Sequence, residues 1–186
     1  MVLYDNRKRT AVWFDKKGRP ETFPKPDPHA KVMLSVWWCS NGVVHYNFIK
    51  PDESTTADAY CRELETAFKK LAEMWPSLAN RKGPLLLQDN ARPHTSLKTR
   101  QKLNELGVEV LLHPAYSSDL SPTGYHVFRA VDAFLHHKVY TENRDLENDI
   151  AQFFESRTQE FYRIGINSLS ERWRRCALSN GEYFIE

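Results

Sequence analysis

The sequence predicts an α/β fold in which a mixed sheet is flanked by helices. Two β-branched and aromatic runs indicate a hairpin, two short apolar runs indicate single strands, and several longer stretches carry apolar residues at helical spacing. Short strands that alternate with helices along a chain are typical of an α/β sheet.

The first predicted elements form a hairpin. Residues 32–38 and 43–49 are its strands, and the Asn41-Gly42 pair between them tolerates the positive φ of a tight turn. Successive side chains on a strand point to opposite faces. We therefore expect Trp37 and Trp38 to lie on opposite sides of the sheet, one in the core and the other partly exposed.

A long amphipathic helix is predicted from Thr56 to about Leu78. Its apolar residues recur in steps of three and four, which places them on one helical face: Tyr60, Leu64, Phe68, Leu71 and Trp75. We expect Ser54 or Thr55 to cap its first turn.

The middle of the chain alternates between short strands and a helix. Residues 84–88 predict a buried strand that delivers Asp89 to its carboxyl end, and residues 108–112 predict a second buried strand. Between them, a helix is predicted from Thr95 to Leu106, where Gly107 ends it.

Helices predominate in the last third of the chain. After a proline-bounded loop over residues 114–122, apolar residues recur at helical spacing: Tyr125, Phe128, Val131, Phe134 and Leu135. Gly124 lies in the first turn of this helix. Two more helices are predicted around residues 145–154 and 159–178.

The composition is that of one domain with a substantial core, since the chain has 186 residues and is 41% apolar. It contains no apolar run of about 18 residues and starts without the pattern of a secretory signal. We therefore expect a soluble intracellular protein with no membrane partner. Three widely spaced cysteines, Cys39, Cys61 and Cys176, argue against a disulfide framework and against a paired-cysteine zinc site.

The formal net charge is only +2, but the first 31 residues are basic. This stretch contains Arg7, Lys8, Arg9, Lys16, Lys17, Arg19, Lys25 and Lys31 against Asp5, Asp15, Glu21 and Asp27. Such a stretch can neutralise DNA phosphates, and it can equally be a solvated loop.

Two motifs carry the functional signal. The first is Gln88-Asp89-Asn90-Ala91-Arg92-Pro93-His94, and the second runs from His113 to His126, with 34 residues between Asp89 and Gly124. Together with strings at 4–7, 80–84 and 180–184, they resemble the catalytic domain of mariner-family transposases, within the DDE superfamily. The resemblance covers nearly the whole chain, and it is especially close to the branch of the family that is fused to a SET domain.

The resemblance implies a ribonuclease H-like fold with a truncated first strand, as one domain over residues 1–186. Residues 5–31 would form a basic extended loop that reaches DNA and a partner subunit, and the family's helix-turn-helix modules would precede this region. It also implies DNA and a second copy of the chain as partners, a nuclear location and no small-molecule substrate. The residues assigned to DNA contact are Arg7, Lys8, Arg9, Lys16, Lys17, Arg19 and Arg92.

Enzymes of this kind hold two divalent ions roughly 3.5–4 Å apart with hard carboxylate ligands. The resemblance implies Mg²⁺ or Mn²⁺ held by three acidic residues, of which Asp89 is the second. Gly124 stands at the third position, and the first would fall upstream of Met1. Asp5 is a poor replacement, because the strand should already be turning there. We expect a DNA-cleaving ancestry with impaired catalysis.

Several alternatives remain open at this point. The domain can be a non-catalytic DNA-binding or dimerisation module, can retain residual nicking, or can be a decayed transposon fragment. Arg92 suits a DNA phosphate and a carboxylate partner equally well. Asp119 fits turn formation better than metal binding. His94 and His113 fit structural roles better than a zinc site.

Overall fold

The computed structural model describes residues 2–3, 32–50, 53–80 and 83–181. The predicted basic loop at 5–31 lies outside the described residues, and so do Asp5 and the proposed DNA contacts Arg7, Lys8, Arg9, Lys16, Lys17 and Arg19. None of the described helices has the length and apolar character needed to cross a membrane.

The strands of the described residues form two ladders. β1 (Val2–Leu3), β2 (Met33–Cys39) and β3 (Gly42–Ile49) pair antiparallel in that spatial order, whereas β4 (Leu85–Leu87) and β5 (Glu109–Leu111) pair parallel. The predicted hairpin is confirmed, and Gly42 begins β3 with a φ of 147°. The β2–β3 register shifts between Trp37 and Trp38, so the ladder is irregular at this point.

Helices make up most of the remaining structure. They are α1 (Ala57–Met74), α2 (Pro76–Ala79), α3 (Arg92–Thr95), α4 (Leu97–Glu105), α5 (Arg129–Leu135), α6 (Asn143–Ser156) and α7 (Gln159–Leu178). A 3₁₀ turn at Ser118–Leu120 and a π-helical segment at Thr123–Phe128 precede α5. The two predicted C-terminal helices are therefore confirmed as α6 and α7.

Helix α1 confirms the amphipathic prediction, because Tyr60, Leu64 and Leu71 are buried on one face. Its cap is Thr56, whose Oγ1 accepts the Ala59 N–H at 3.2 Å, so the prediction of Ser54 or Thr55 is wrong. The predicted helix is also divided after Met74, since the residue before a proline disfavours helical backbone.

Two other predicted helices start differently in the structure. The one predicted from Thr95 begins at Leu97, because Ser96 caps it by accepting the Thr99 N–H at 3.1 Å, and it ends before Gly107. The helix predicted around Gly124 opens with a π turn rather than an α turn. Tyr125 and His126 both bond to carbonyls of α7, which holds this wider turn in place.

Among the described residues, the apolar core consists of two clusters on opposite faces of β2. Leu34, Val36 and Trp38 pack toward a cluster built from α5, α6 and the π-helical segment. Trp37 packs on the other face, against the cluster of α1 and α4 that contains Tyr60. The prediction that the two tryptophans lie on opposite faces is confirmed. The prediction that one of them is a core residue is not, because both are half-buried.

The short strands are less buried than predicted. Leu86 and Val110 pack against the α1–α4 cluster, whereas Leu85 is 64% exposed and Leu111 is 38% exposed. Side chains alternate along a strand, and only one face of the β4–β5 ladder is covered by described helices. An apolar run therefore does not by itself show that both faces of a strand are buried.

Helix α7 approaches the π-helical segment closely at Gly165. A Cβ atom at this glycine would lie 2.5 Å from Cδ2 of His126 and 3.0 Å from Cη2 of Trp38. The Tyr125 hydroxyl donates to the Gly165 carbonyl at 2.8 Å across the same contact. The absence of a side chain at residue 165 thus sets the distance between the two elements.

We predict that Gly165→Ala lowers the free energy of unfolding by about 1–3 kcal/mol, because the added methyl group overpacks this contact. Urea unfolding followed by circular dichroism measures the change. Asn167→Ala is the matched control, since Asn167 is exposed on the same helix and alanine favours helical backbone there. Equal stability of Gly165→Ala and this control would contradict the prediction.

Candidate functional site at the end of strand β4

Asp89 follows β4 directly and lies in a tight turn. Its Oδ1 accepts the backbone N–H of Ala91 at 3.0 Å, and the same oxygen lies 2.6 Å from Nδ1 of His94. The Asp89 side chain is 54% exposed, whereas that of His94 is 13% exposed. The largely buried His94 side chain therefore fixes the exposed carboxylate of Asp89.

His94 is itself fixed by the elements behind it. Its ring lies 4.1 Å from the ring of Tyr60 in α1, and the Tyr60 hydroxyl donates to Gln88 Oε1 at 2.5 Å. Gln88 Nε2 donates in turn to the His94 carbonyl at 3.3 Å. Asp89, His94, Gln88 and Tyr60 thus form one polar network, which we call the Asp89 network.

The segment that carries His94 is anchored by a buried threonine. Thr99 is fully buried, and its hydroxyl donates to the Pro93 carbonyl at 2.6 Å. Ser96 contacts the same hydroxyl at 2.9 Å. The turn between α3 and α4 is therefore tied to the protein interior directly behind the first motif.

The contacts of Asp89 determine its charge. The hydrogen bond from His94 holds the pKa of the Asp89 carboxyl well below its ordinary value, with a smaller contribution from the Ala91 N–H, while partial burial opposes this shift. Burial and the negative charge of Asp89 raise the pKa of the Tyr60 phenol. Asp89 is consequently a carboxylate at neutral pH, and Tyr60 is an uncharged hydrogen-bond donor.

The second motif meets the first at His113. Asn90 Nδ2 donates to the His113 carbonyl at 2.8 Å, so the residue after Asp89 fixes the start of the proline-bounded loop. Further along, Asp119 is 7% exposed and Leu120 is fully buried, which anchors the 3₁₀ turn in the interior. Nη1 of Arg172 in α7 donates to the Asp119 carbonyl at 3.1 Å and holds this turn from outside.

Gly124 is positioned by the residue before it. Trp38 Nε1 donates to Thr123 Oγ1 at 3.0 Å, which ties the π-helical segment to β2. A Cβ atom at Gly124 would lie 3.3 Å from the Ser118 carbonyl oxygen, with its next neighbours in Ser121. A side chain at residue 124 thus needs a shift of only a few tenths of an ångström.

Both motifs border one cavity of about 540 Å³. Its apolar walls come from β2, β4 and α7, and the polar groups on it include Asp89, His94, His113 and Thr123. Asp119 is not among the described residues that line it. The sequence interpretation of Asp119 as a turn residue agrees with this placement.

A two-metal centre does not fit the described residues. Nowhere among them do three His, Cys, Asp or Glu side chains converge as metal ligands would. Gly124 offers no ligand atom, and the Oδ1 of Asp89 is already engaged by His94 and Ala91. Asp89 borders this cavity with Glu53 and Glu63, but these side chains do not form such a group. Of the three acidic ligands that the resemblance implies, the described part of the chain thus supplies one, Asp89.

Other residues singled out by sequence have simpler surroundings. Arg92 is exposed in α3, and within the described ranges no carboxylate lies at ion-pair distance from it. His113 borders the cavity with its Nδ1 buried and without a described partner. Sequence reasoning missed the contact of His94 with Asp89 and the role of Tyr60, which lies 29 residues before Asp89 in the chain.

Comparison with known proteins gives a consistent result. The family model for a transposase (partial DDE domain) matches residues 3–81. The human histone-lysine N-methyltransferase SETMAR is 49% identical over 184 residues, which is 98% of this chain and 27% of that protein. The Mariner Mos1 transposase of Drosophila mauritiana is 34% identical over 167 residues, 89% of this chain and 47% of that protein. The chain thus spans about a quarter and about half of these two relatives.

Solved structures of the second relative match the fold. The Mos1 transposase catalytic domain with raltegravir and Mg superposes with a TM-score of 0.80 at 36% identity, covering 83% of this chain and 78% of that one. The Mos1 transposase paired-end complex with the left transposon end gives a TM-score of 0.82 at 32% identity, covering 99% of this chain and 54% of that one.

The Asp89–His94 contact leads to a prediction about pH. Because the folded-state pKa of Asp89 is depressed, its stabilising contribution is present above the ordinary carboxyl range and is lost as the pH falls below about 4. We expect Asp89→Asn to cost at most about 1 kcal/mol at pH 7, since the carboxylate is half exposed. Urea unfolding at several pH values should show this difference start to shrink at about pH 5 and continue to shrink below about pH 3, because the folded-state pKa lies well below the ordinary carboxyl value.

The exposed Asp132 provides the control, because Asp132→Asn changes the same charge away from His94. A stability difference for Asp89→Asn that stays constant with pH would mean that the contact with His94 does not stabilise the fold through charge.

Proposed function

The chain belongs to the mariner transposase family, and on this premise we propose that it is a DNA-processing domain whose metal-dependent strand cleavage is impaired. The match to the Mos1 catalytic domain confirms the predicted ribonuclease H-like α/β fold. The observation that carries the proposal lies at the cavity that both motifs border. Asp89 supplies a held carboxylate there, whereas the second motif lines it with Thr123, and the next residue, Gly124, has no side chain.

The chemistry of phosphoryl transfer explains why this pairing matters. Two divalent ions clamp the attacking and leaving oxygens, and several carboxylates are needed to hold both ions against their hydration. One carboxylate with a single uncommitted oxygen holds such an ion weakly, because Mg²⁺ loses its waters reluctantly. The described residues therefore supply one part of such a site, which is an Asp89 carboxylate held in position by the Asp89 network.

DNA is the proposed partner. The Mos1 transposase structure with a transposon end supports this by similarity. The basic composition of residues 5–31 and the exposed Arg92 add positive charge suited to phosphates. We also propose a homodimer, by similarity to the mariner family, and a nuclear location, because the proposed substrate is DNA. Mg²⁺ or Mn²⁺ is the proposed metal for any residual cleavage.

A second candidate is a DNA-binding or dimerisation module without catalysis. The specific observation in its favour is that Oδ1 of Asp89 is committed to His94 and Ala91 at distances of 2.6 and 3.0 Å. A fixed internal partner for the carboxylate suits a structural role for the turn. This candidate shares the DNA partner of the first and differs in expecting no residual cleavage at all.

Nicking of an end-labelled DNA duplex in Mg²⁺ or Mn²⁺ tests the proposal. We expect the wild-type chain to leave most of the duplex intact, while both it and Asp89→Ala still bind it. Extensive cleavage by the wild-type chain that Asp89→Ala abolishes would contradict impairment and would show that Asp89 serves a working metal site. Weak cleavage that needs Asp89 would favour residual activity over the binding module.

The geometry at Gly124 gives a further prediction. A Cβ atom at residue 124 needs the Ser118 carbonyl to give by a few tenths of an ångström, and the preceding residue, Thr123, lines the shared cavity. We predict that Gly124→Asp folds and places a carboxylate near this cavity. We expect Mn²⁺ to bind this variant about tenfold more tightly than the wild-type chain, as measured by water-proton relaxation. Adding Asp89→Ala should remove the gain.

Gly124→Ala is the matched control for this variant, because it adds the Cβ atom without the carboxylate. A Gly124→Asp variant that folds yet binds Mn²⁺ no more tightly than Gly124→Ala would show that residues 89 and 124 do not face a common ion.

A further inference from the structure

A second groove lies between α7 and the helix that begins at the π-helical segment. Its volume is about 400 Å³. Two arginines line it, Arg129 from the start of α5 and Arg172 from α7, together with small or uncharged side chains that include Ala133 and Ser168. Among the described lining residues there is no Asp or Glu. We call this feature the arginine groove, and its described walls carry a net positive charge.

The guanidinium of Arg172 is held in a defined orientation. It lies 3.8 Å from the ring centroid of Tyr125, and its Nη1 donates to the Asp119 carbonyl at 3.1 Å. Tyr125 is fixed in turn by its hydrogen bond to the Gly165 carbonyl at 2.8 Å. A guanidinium carries its N–H donors in one plane, which matches the oxygens of a phosphate group, and these contacts limit the orientations of that plane.

The arginine groove and the Asp89 cavity flank the same short segment of chain. Thr123 borders the cavity, whereas Tyr125 and His126 border the groove. Gly124 lies between them. A polyanion that occupies the groove therefore contacts the π-helical segment at residues that do not line the Asp89 cavity.

We infer that the arginine groove is a contact site for the phosphate backbone of duplex DNA, with Arg129 and Arg172 as the phosphate-binding residues. The inference rests on the proposed function, which supplies DNA as the partner. It adds a location that lies outside both the Asp89 cavity and the basic segment at 5–31. Phosphate contacts carry no base information, so the groove binds duplexes of unrelated sequence alike.

Two substitutions at exposed positions test this inference with little risk to folding. Arg129→Gln removes one positive charge from the groove, and Ala133→Glu introduces a negative charge on its wall. Fluorescence anisotropy with short duplexes of unrelated sequence, titrated at several salt concentrations, measures affinity and its salt dependence. Each variant should bind about three- to tenfold more weakly, and Arg129→Gln should reduce the slope of log K against log salt by about 1.

Arg163→Gln is the matched control. Arg163 is an exposed arginine of α7 that pairs with Glu160 at 2.5 Å and does not line the groove, so its loss changes the same overall charge elsewhere. It should leave DNA binding and its salt dependence close to those of the wild-type chain. Thermal unfolding of each variant verifies that the fold is retained.

The outcomes separate the inference from the proposed function. A wild-type chain that binds no duplex would overturn both the DNA partner and the groove. A wild-type chain that binds DNA, with Arg129→Gln and Ala133→Glu binding as tightly as Arg163→Gln, would overturn the groove alone. Weakening confined to one DNA sequence would also contradict it, because phosphate contact is independent of sequence.

Discussion

The pleat of β2 at Trp37 and Trp38 is the constraint on which the rest of the structure depends. Successive side chains of a strand face opposite sides, so the two indoles enter different apolar clusters. Trp37 lies 5.6 Å from Tyr60, whose ring contacts that of His94 at a tilt and so supports the turn of Asp89. Trp38 bonds to Thr123 and so fixes the segment that carries Gly124. Two adjacent residues thereby position both halves of the candidate site.

The packing and hydrogen bonds that support the site can be intact even though the site lacks the acidic ligands that a metal centre needs. The Asp89 network, the bond between Asn90 and His113, and the close packing at Gly165 all remain in place. What the described residues lack is a group of three His, Cys, Asp or Glu side chains that could hold a metal ion, and residue 124 of the second motif is a glycine. A mariner-type scaffold of this kind suits a protein that binds DNA, and the arginine groove is a proposed DNA contact site.

The sequence predicted the fold better than it predicted the surroundings of the site. Periodicity located the hairpin and the long helices, because apolar spacing follows directly from backbone geometry. It did not locate the cap at Thr56, since three polar residues in succession offered similar oxygens. It overstated the burial of β4, because whether a strand face is covered depends on distant helices. The contact of Tyr60 with His94 joins residues 34 positions apart and had no local signal.

The most direct test of the account is binding of duplex DNA by the full chain in Mg²⁺ and in EDTA, with strand integrity measured in the same samples. The account predicts the same salt-dependent affinity in both conditions and largely intact strands, because phosphate contact by basic residues needs no completed metal centre. Binding that disappears in EDTA, or extensive strand cleavage in Mg²⁺, would contradict it.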